Sequence, residues 1–372
     1  MPYYSREQLD QTNLHFIIGS NRSGTTLLTT ILNAHPQVLS TPESRLTLTF
    51  YPPYAHQNPI SEQFITNFKQ YELLRFGNVG KKKEKKALLL AKMDEVLGNL
   101  RPQLPTMDYA QLSKYLLLNS SKIAEQKQVN VLMNKNPDYC FYIDELLKIH
   151  PEAKFLACIR DPRAVVLSHQ EHKGFNDFSQ YMGDSAAAVS YFWKWSNEAI
   201  LAAQAKYPNK ILLVPYEQMV TDKENLLHKI CSFLNIEFDQ AMLTHEQQQS
   251  TTTTETPNSN ANDTNAPKTA TEWEQWKTDN RNQAVFTNRL AAWKQKLTAR
   301  NQEICNTISA STAIKLGYDT APPSLLKQTW LLFSCLPQIA LGYITTTLFI
   351  RHYFHLPFSW RLLLAKYLKV RK

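Results

Sequence analysis

The run Phe16-Ile17-Ile18 ends at Gly19-Ser20-Asn21-Arg22-Ser23-Gly24-Thr25-Thr26, and a helical pattern of Leu27, Leu28, Ile31 and Leu32 begins at once. The spacing Gly19-x4-Gly24, followed by Thr25-Thr26, is that of a loop that cradles phosphate, except that Thr25 stands where a lysine is usual. Glycines let such a loop curl so that successive N–H groups point inward, and the following helix adds partial positive charge. The expectation is an anion site built from Ser23, Gly24, Thr25 and Thr26. Arg22 is the cation in place of the lysine. A strand, this loop and a helix in succession restrict the chain to an α/β fold.

Further short apolar runs at Leu14–Gly19, Val129–Met133, Lys154–Ile159 and Lys210–Val214 read as strands buried on both faces. Helical patterns lie between them at Thr25–Ala34, Lys85–Leu100, Tyr109–Glu125, Ile143–Ile149, Arg163–Lys173, Ser185–Tyr207 and Lys223–Leu234. Alternation of this kind predicts a central parallel sheet flanked by helices, with ligands at the carboxyl ends of the strands. Pro52-Pro53, Pro59 and the lysines of Lys81–Lys86 mark an irregular excursion, and the lysine run reads as a solvated helix start.

The 372 residues carry a net charge of +9 and 43% hydrophobic residues, ample for a core. From Leu325 to Lys372 there are seven Lys and Arg and no acidic residue, so the rest of the chain is nearly neutral. A nucleic-acid protein carries its basic surface on the folded domain, which ranks that class low. Five scattered cysteines without a C-x-x-C pair suggest neither a zinc site nor a disulfide framework, and a reducing compartment is expected. The polar start, Met1 to Glu7, lacks a signal peptide's apolar stretch, and a cytoplasmic location follows as the expectation.

Thr244 to Thr271 is rich in Thr, Asn, Gln, Ser and Pro and has no aromatic, Leu, Ile or Val. It is read as a disordered polar insertion (244–271) within a domain spanning 1–320. The tail, 321–372, contains no charge from Thr329 to Ile350, 22 residues, yet Pro337, Gln338, Gly342 and three threonines lower its hydrophobicity. Interleaved aromatics and terminal bases suit attachment to an anionic membrane, interfacial or re-entrant rather than spanning. The plainer reading is a helical pair packed on the core.

Three more constellations sit at predicted strand ends. Arg160-Asp161-Pro162-Arg163 follows one strand, with Ser168 about two turns into the next helix, and Arg160 and Ser168 can converge on one phosphate. Asn134-Lys135-Asn136-Pro137 presents Lys135 at the ligand edge. Thr41-Pro42-Glu43-Ser44-Arg45 places the Glu43 carboxylate within reach of the loop.

Together these residues resemble the sulfotransferase family that uses 3′-phosphoadenosine-5′-phosphosulfate (PAPS), over about Leu14 to Tyr318, closest to the tyrosylprotein sulfotransferase branch. Arg22 to Leu27 resembles that family's 5′-phosphosulfate loop, and Cys158 to Arg163 with Ser168 its 3′-phosphate motif. Val214-Pro215-Tyr216-Glu217 and Ile230 to Leu234 match a later strand and helix, with Tyr216 near the nucleotide. The resemblance implies the P-loop NTPase-like sulfotransferase fold, PAPS as co-substrate without a metal, Lys135 as acid, Glu43 as base, and Arg22 beside the transferred group. The acceptor is a hydroxyl of a glycan, a lipid or a protein tyrosine. His172 stands where the branch has a second arginine, and Lys277, Arg281 and Arg289 are the candidates for a lysine expected before Trp293. A P-loop kinase or NTPase, lacking here its lysine and a clear second motif, is the rival enzyme. A non-catalytic, membrane-bound nucleotide-binding module is the rival from another class.

Overall fold

The computed structural model describes residues 4–57, 60–76, 83–119, 127–171, 185–244 and 288–367. The polar insertion beyond Thr244, His172, Lys277, Arg281 and the last five residues lie outside the described residues. Five strands form one sheet: β1 (Asn13–Gly19), β2 (Val38–Ser40), β3 (Val131–Lys135), β4 (Phe155–Ile159) and β5 (Ile211–Pro215). Their spatial order is β2-β3-β1-β4-β5, and every pairing is parallel. The parallel α/β architecture expected from the sequence is present.

Seventeen α-helices accompany the sheet among the described residues: α1 (Arg6–Gln11), α2 (Thr25–Ala34), α3 (Leu46–Thr49), α4 (Tyr51–Tyr54), α5 (Gln63–Phe76), α6 (Lys83–Leu100), α7 (Tyr109–Asn119), α8 (Ile143–Ile149), α9 (Pro162–Glu171), α10 (Ala186–Lys206), α11 (Tyr216–Thr221), α12 (Lys223–Leu234), α13 (Asn288–Lys296), α14 (Ala299–Lys315), α15 (Leu325–Ser334), α16 (Leu336–Tyr343) and α17 (Phe358–Tyr367). Alternation along β1 explains how they are distributed. Phe16 and Ile18 point into a core that holds α5, α7 and α8 side chains, whereas Ile17 points into one formed with α2 and α12. Both faces are covered, so β1, β3 and β4 are buried almost throughout. A third cluster joins α9, α10, α13, α14 and the C-terminal helices.

Three differences from the sequence reading have physical causes. β3 runs two residues beyond the expected Met133, because Asn134 and Lys135 continue the ladder opposite Phe16 and Ile17. The buried Asn134 amide is satisfied by Thr47 Oγ1 (2.9 Å) and the Ser44 carbonyl (3.3 Å), which removes the cost of placing it in a strand. β2 has only three residues, too few for a periodic signal. The expected irregular excursion contains α3, α4 and α5; Pro52 and Pro53 sit at the start of α4, where a missing N–H costs nothing.

The C-terminal helices are packed against this scaffold. Gly342 brings α16 so close to α10 that a Cβ there would lie 3.1 Å from the Ala188 carbonyl oxygen. Tyr142 donates to the Ile350 carbonyl, and the buried Arg361 donates to the Thr49 carbonyl. Phe354 meets Tyr142 edge-on at 4.9 Å. No described helix is long and apolar enough to cross a membrane.

Two buried histidines set a pH dependence. His15 Nδ1 accepts from the Lys154 amide at 3.1 Å, and His150 bonds Ser113 at 2.9 Å. Burial, then nearby lysines, lowers His15 to about 4 and His150 to about 3. The unfolded chain therefore takes up protons first, below an ordinary histidine's 6.5, and stability is lost as pH falls from there toward 4. Melting temperatures between pH 7 and 4.5 should fall accordingly, and His15→Gln should flatten part of the slope. An unchanged slope in that variant would show that other groups govern it.

Candidate active site

The five-residue loop between β1 and α2 bends through two left-handed positions, Arg22 (φ 69°) and Gly24 (φ 95°). Arg22 adopts a conformation that non-glycine residues avoid. At Gly24 a Cβ would come within 2.6 Å of Tyr216 Cδ2, so glycine is needed for both space and φ. No side chain caps the start of α2 at Gly24. The first amides of a helix have no intrahelical acceptor, and here they stay available to an anion, aided by the helix dipole. Ser20 and Ser23 hydroxyls bond each other across the loop.

Arg160, at the end of β4, reaches this loop: its Nη1 donates to the Arg22 carbonyl at 3.1 Å. Arg22 in turn donates from Nε to Ser168 Oγ on α9 at 3.3 Å. The Tyr216 ring lies 4.1 Å beneath the Arg160 guanidinium and holds its plane. Burial lowers the Arg160 pKa, as expected of a desolvated cation. Its Nε is buried with no partner among the described residues. His169, beside Ser168, is lowered to about 3 by burial and then by the Arg22 charge, so it adds no cation to the cluster.

Lys135 and Glu43 complete the site from the other side of β1. The ladder sets Lys135 opposite Ile17, two residues before the loop. Its Nζ lies 3.4 Å from Thr26 Oγ1 and 3.8 Å from Glu43 Oε2. Both side chains are largely buried, at 9% and 19% exposure, which strengthens their mutual field. The segment carrying Glu43 is fixed by backbone and side-chain bonds to β3: Thr41 N to the Met133 carbonyl, Ser44 N to the Lys135 carbonyl, and Asn136 Nδ2 to the Ser44 carbonyl. Arg45, two residues on, makes a buried 2.6 Å ion pair with Asp138. Burial alone would lower the Arg45 pKa, but Asp138 together with Tyr353, Glu43 and Tyr71 outweighs it, and the net direction is up.

The loop, Arg160, Ser168, Tyr216, Lys135 and Glu43 therefore gather at one end of the sheet. Arg22, Ser23, Gly24, Thr25 and Thr26 form the loop, with Arg160, Ser168 and Tyr216 on one flank and Lys135 and Glu43 on the other. A supporting layer was not anticipated. Trp193 on α10 donates its indole N–H to the Arg160 carbonyl at 3.0 Å. Asp161 accepts from Arg163 Nε (3.0 Å) and Nη2 (2.7 Å), while Glu217 accepts from the Asp161 amide and from Tyr318 Oη. The adjacency of Asp161 and Arg163 hinted at their pair; nothing in the sequence pointed to Trp193 or Tyr318. Arg289, considered as a stand-in for an expected lysine, is exposed on α13.

A profile described as the sulfotransferase family matches residues 15–240, more than half of the chain and all of the strands except the first two residues of β1. The chain belongs to the sulfotransferase family. It is 29% identical over 238 residues to protein-tyrosine sulfotransferase 1 of Danio rerio, covering 63% of this chain and 56% of that protein. To protein-tyrosine sulfotransferase A of Caenorhabditis elegans it is 28% identical over 238 residues, covering 62% and 52%. The chain thus matches little more than half the length of those relatives. A solved structure, the sulfotransferase domain from the Synechococcus PCC 7002 olefin synthase, aligns at TM-score 0.49 and 23% identity, over 83% of this chain and 96% of that domain.

Proposed function

We propose that this sulfotransferase moves a sulfuryl group from PAPS to an acceptor hydroxyl. The observation that carries the reading is the position of Lys135, whose ammonium stands between Thr26 at the start of α2 and the Glu43 carboxylate. One cation faces both the anion-binding loop and a base. Two features support a fit to a phosphorylated nucleotide: the uncapped start of α2, and Arg160 Nε, buried with no partner among the described residues. Amides of Ser23 to Thr26 would hold the 5′-phosphate, and Arg160 and Ser168 the 3′-phosphate.

In the transfer, the acceptor oxygen bonds to sulfur as the bond from sulfur to the bridging oxygen breaks, and the departing electron pair stays on the 5′-phosphate. Glu43 takes the acceptor proton. Arg22 and Lys135 offset the charge that grows on the bridging oxygen, a stabilisation that preorganised groups supply without rearrangement. Acceptors are a peptide tyrosine, a glycan or a lipid hydroxyl. The names of the two relatives favour trying peptide tyrosine first.

Ligand discrimination tests the nucleotide part. 3′-Phosphoadenosine-5′-phosphate should stabilise the fold far more than ADP or ATP, by about 2.7 kcal/mol at one hundred times its Kd. Thermal shift and calorimetry read this directly. Equal stabilisation by ATP, or none by the 3′-phosphorylated nucleotide, would overturn the assignment.

A further inference from the structure

The C-terminal helices are apolar on two sides. Leu331 and Cys335 are buried against the core, and Gly342 seats α16 on α10. The opposite side is open: Leu325, Leu326, Trp330 and Phe333 are 80%, 87%, 57% and 74% exposed on α15, and Leu336 and Leu341 continue the patch along α16 at 52% and 40%. Positions 326, 330 and 333 share one helix face. Surface helices of a soluble protein keep a polar outer face, and contiguous exposed apolar patches mark interaction sites.

Charge distinguishes between two occupants. Of the seven Lys and Arg of residues 321–372, Arg361 is buried on the Thr49 carbonyl, whereas Lys327 and Arg351 are at the surface. Arg300 stacks on Trp330 at 5.3 Å, and Lys327, held by Glu303 at 2.6 Å, lies on the same helix. In a two-fold pairing of identical patches Arg300 and Lys327 would face their own copies, whereas anionic headgroups neutralise them. Length then sets the mode of contact. α15 and α16 have 10 and 8 residues, about 15 and 12 Å, against a hydrocarbon core of about 30 Å. Trp330 has the apolar body and polar edge suited to the headgroup boundary.

We infer that α15 and α16 lie in the interface of an anionic lipid bilayer, with the Leu326–Trp330–Phe333 stripe toward the acyl chains. The inner side of the same helices stays on the core, so docking needs no unfolding of the sheet or the site.

Flotation of the full 372-residue chain with vesicles tests this. Phosphatidylcholine vesicles containing phosphatidylglycerol should carry the protein, pure phosphatidylcholine vesicles should carry much less, and salt should release part of it. The pair Leu326→Gln with Phe333→Gln should weaken binding at least about tenfold. Its melting temperature and its shift by 3′-phosphoadenosine-5′-phosphate should match the parent's, because both side chains are mostly exposed. Absence of the parent from anionic vesicles, equal binding to neutral ones, or unchanged binding of the pair variant would overturn the inference. So would self-association in solution that the pair variant abolishes, which would assign the patch to a second copy.

Discussion

Glu43→Gln should lower turnover by roughly 10²–10⁴-fold while nucleotide affinity stays nearly unchanged, the range expected for loss of a general base. The geometry sets this apart from a loss of binding. Glu43 lies 3.8 Å from Lys135, on the far flank from Arg160 and Ser168, and its segment is tied to β3 by backbone bonds that the substitution leaves in place. Gln keeps the shape and can still accept from Lys135, but it cannot take a proton from an acceptor at neutral pH. Single-turnover rates with saturating donor measure the chemical step, and calorimetry measures affinity. Near-full activity in Glu43→Gln would place the base elsewhere.

The largest stability effect is expected at Arg45. Its ion pair with Asp138, 2.6 Å long with both side chains under 10% exposed, sits beneath the Tyr353 ring, whose centroid lies 5.6 Å from the guanidinium. Arg45→Met strips the charge partner from a buried carboxylate, which costs about 3–5 kcal/mol. Urea denaturation should show a lower midpoint at unchanged slope. Combining Arg45→Met with Asp138→Leu should recover most of the loss, since replacing both partners removes the stranded charge. A single-variant loss under about 1 kcal/mol, the value typical of a surface pair, would show that water reaches the pair.

The grouping of the candidate residues is legible in the sequence because they follow strand ends, where a parallel sheet gathers them. β1, the loop and α2 form one local unit, and α2 begins and ends where its pattern says. Lys135 was found although its strand was set two residues early, because the polar residues that close β3 look like a turn when their partners are unknown. Those partners, Thr41, Ser44 and Thr47, lie about 90 residues upstream. The supporting contacts of Arg160 were illegible for the same reason. Trp193 reads as a core aromatic on a long helix, and only the fold brings its N–H to the Arg160 carbonyl. Tyr216 lies at the boundary of core and loop, 8% exposed with its ring 4.1 Å from the Arg160 guanidinium. In the tail, composition predicted apolar surface and basic charge, but which side meets the core depended on Gly342 and Arg361, whose partners are far away in sequence.

Transfer of label from [35S]PAPS to a tyrosine peptide, a glycan and a lipid hydroxyl, each assayed with the parent chain, Glu43→Gln and Arg160→Ala, tests the central claim most directly. The parent should label at least one acceptor at its hydroxyl. Glu43→Gln should fail with the same acceptor at saturating donor, and Arg160→Ala should recover activity only as donor concentration is raised. Labelling by Glu43→Gln at the parent's rate, or no labelling of any hydroxyl acceptor by a parent that binds 3′-phosphoadenosine-5′-phosphate, would contradict the account.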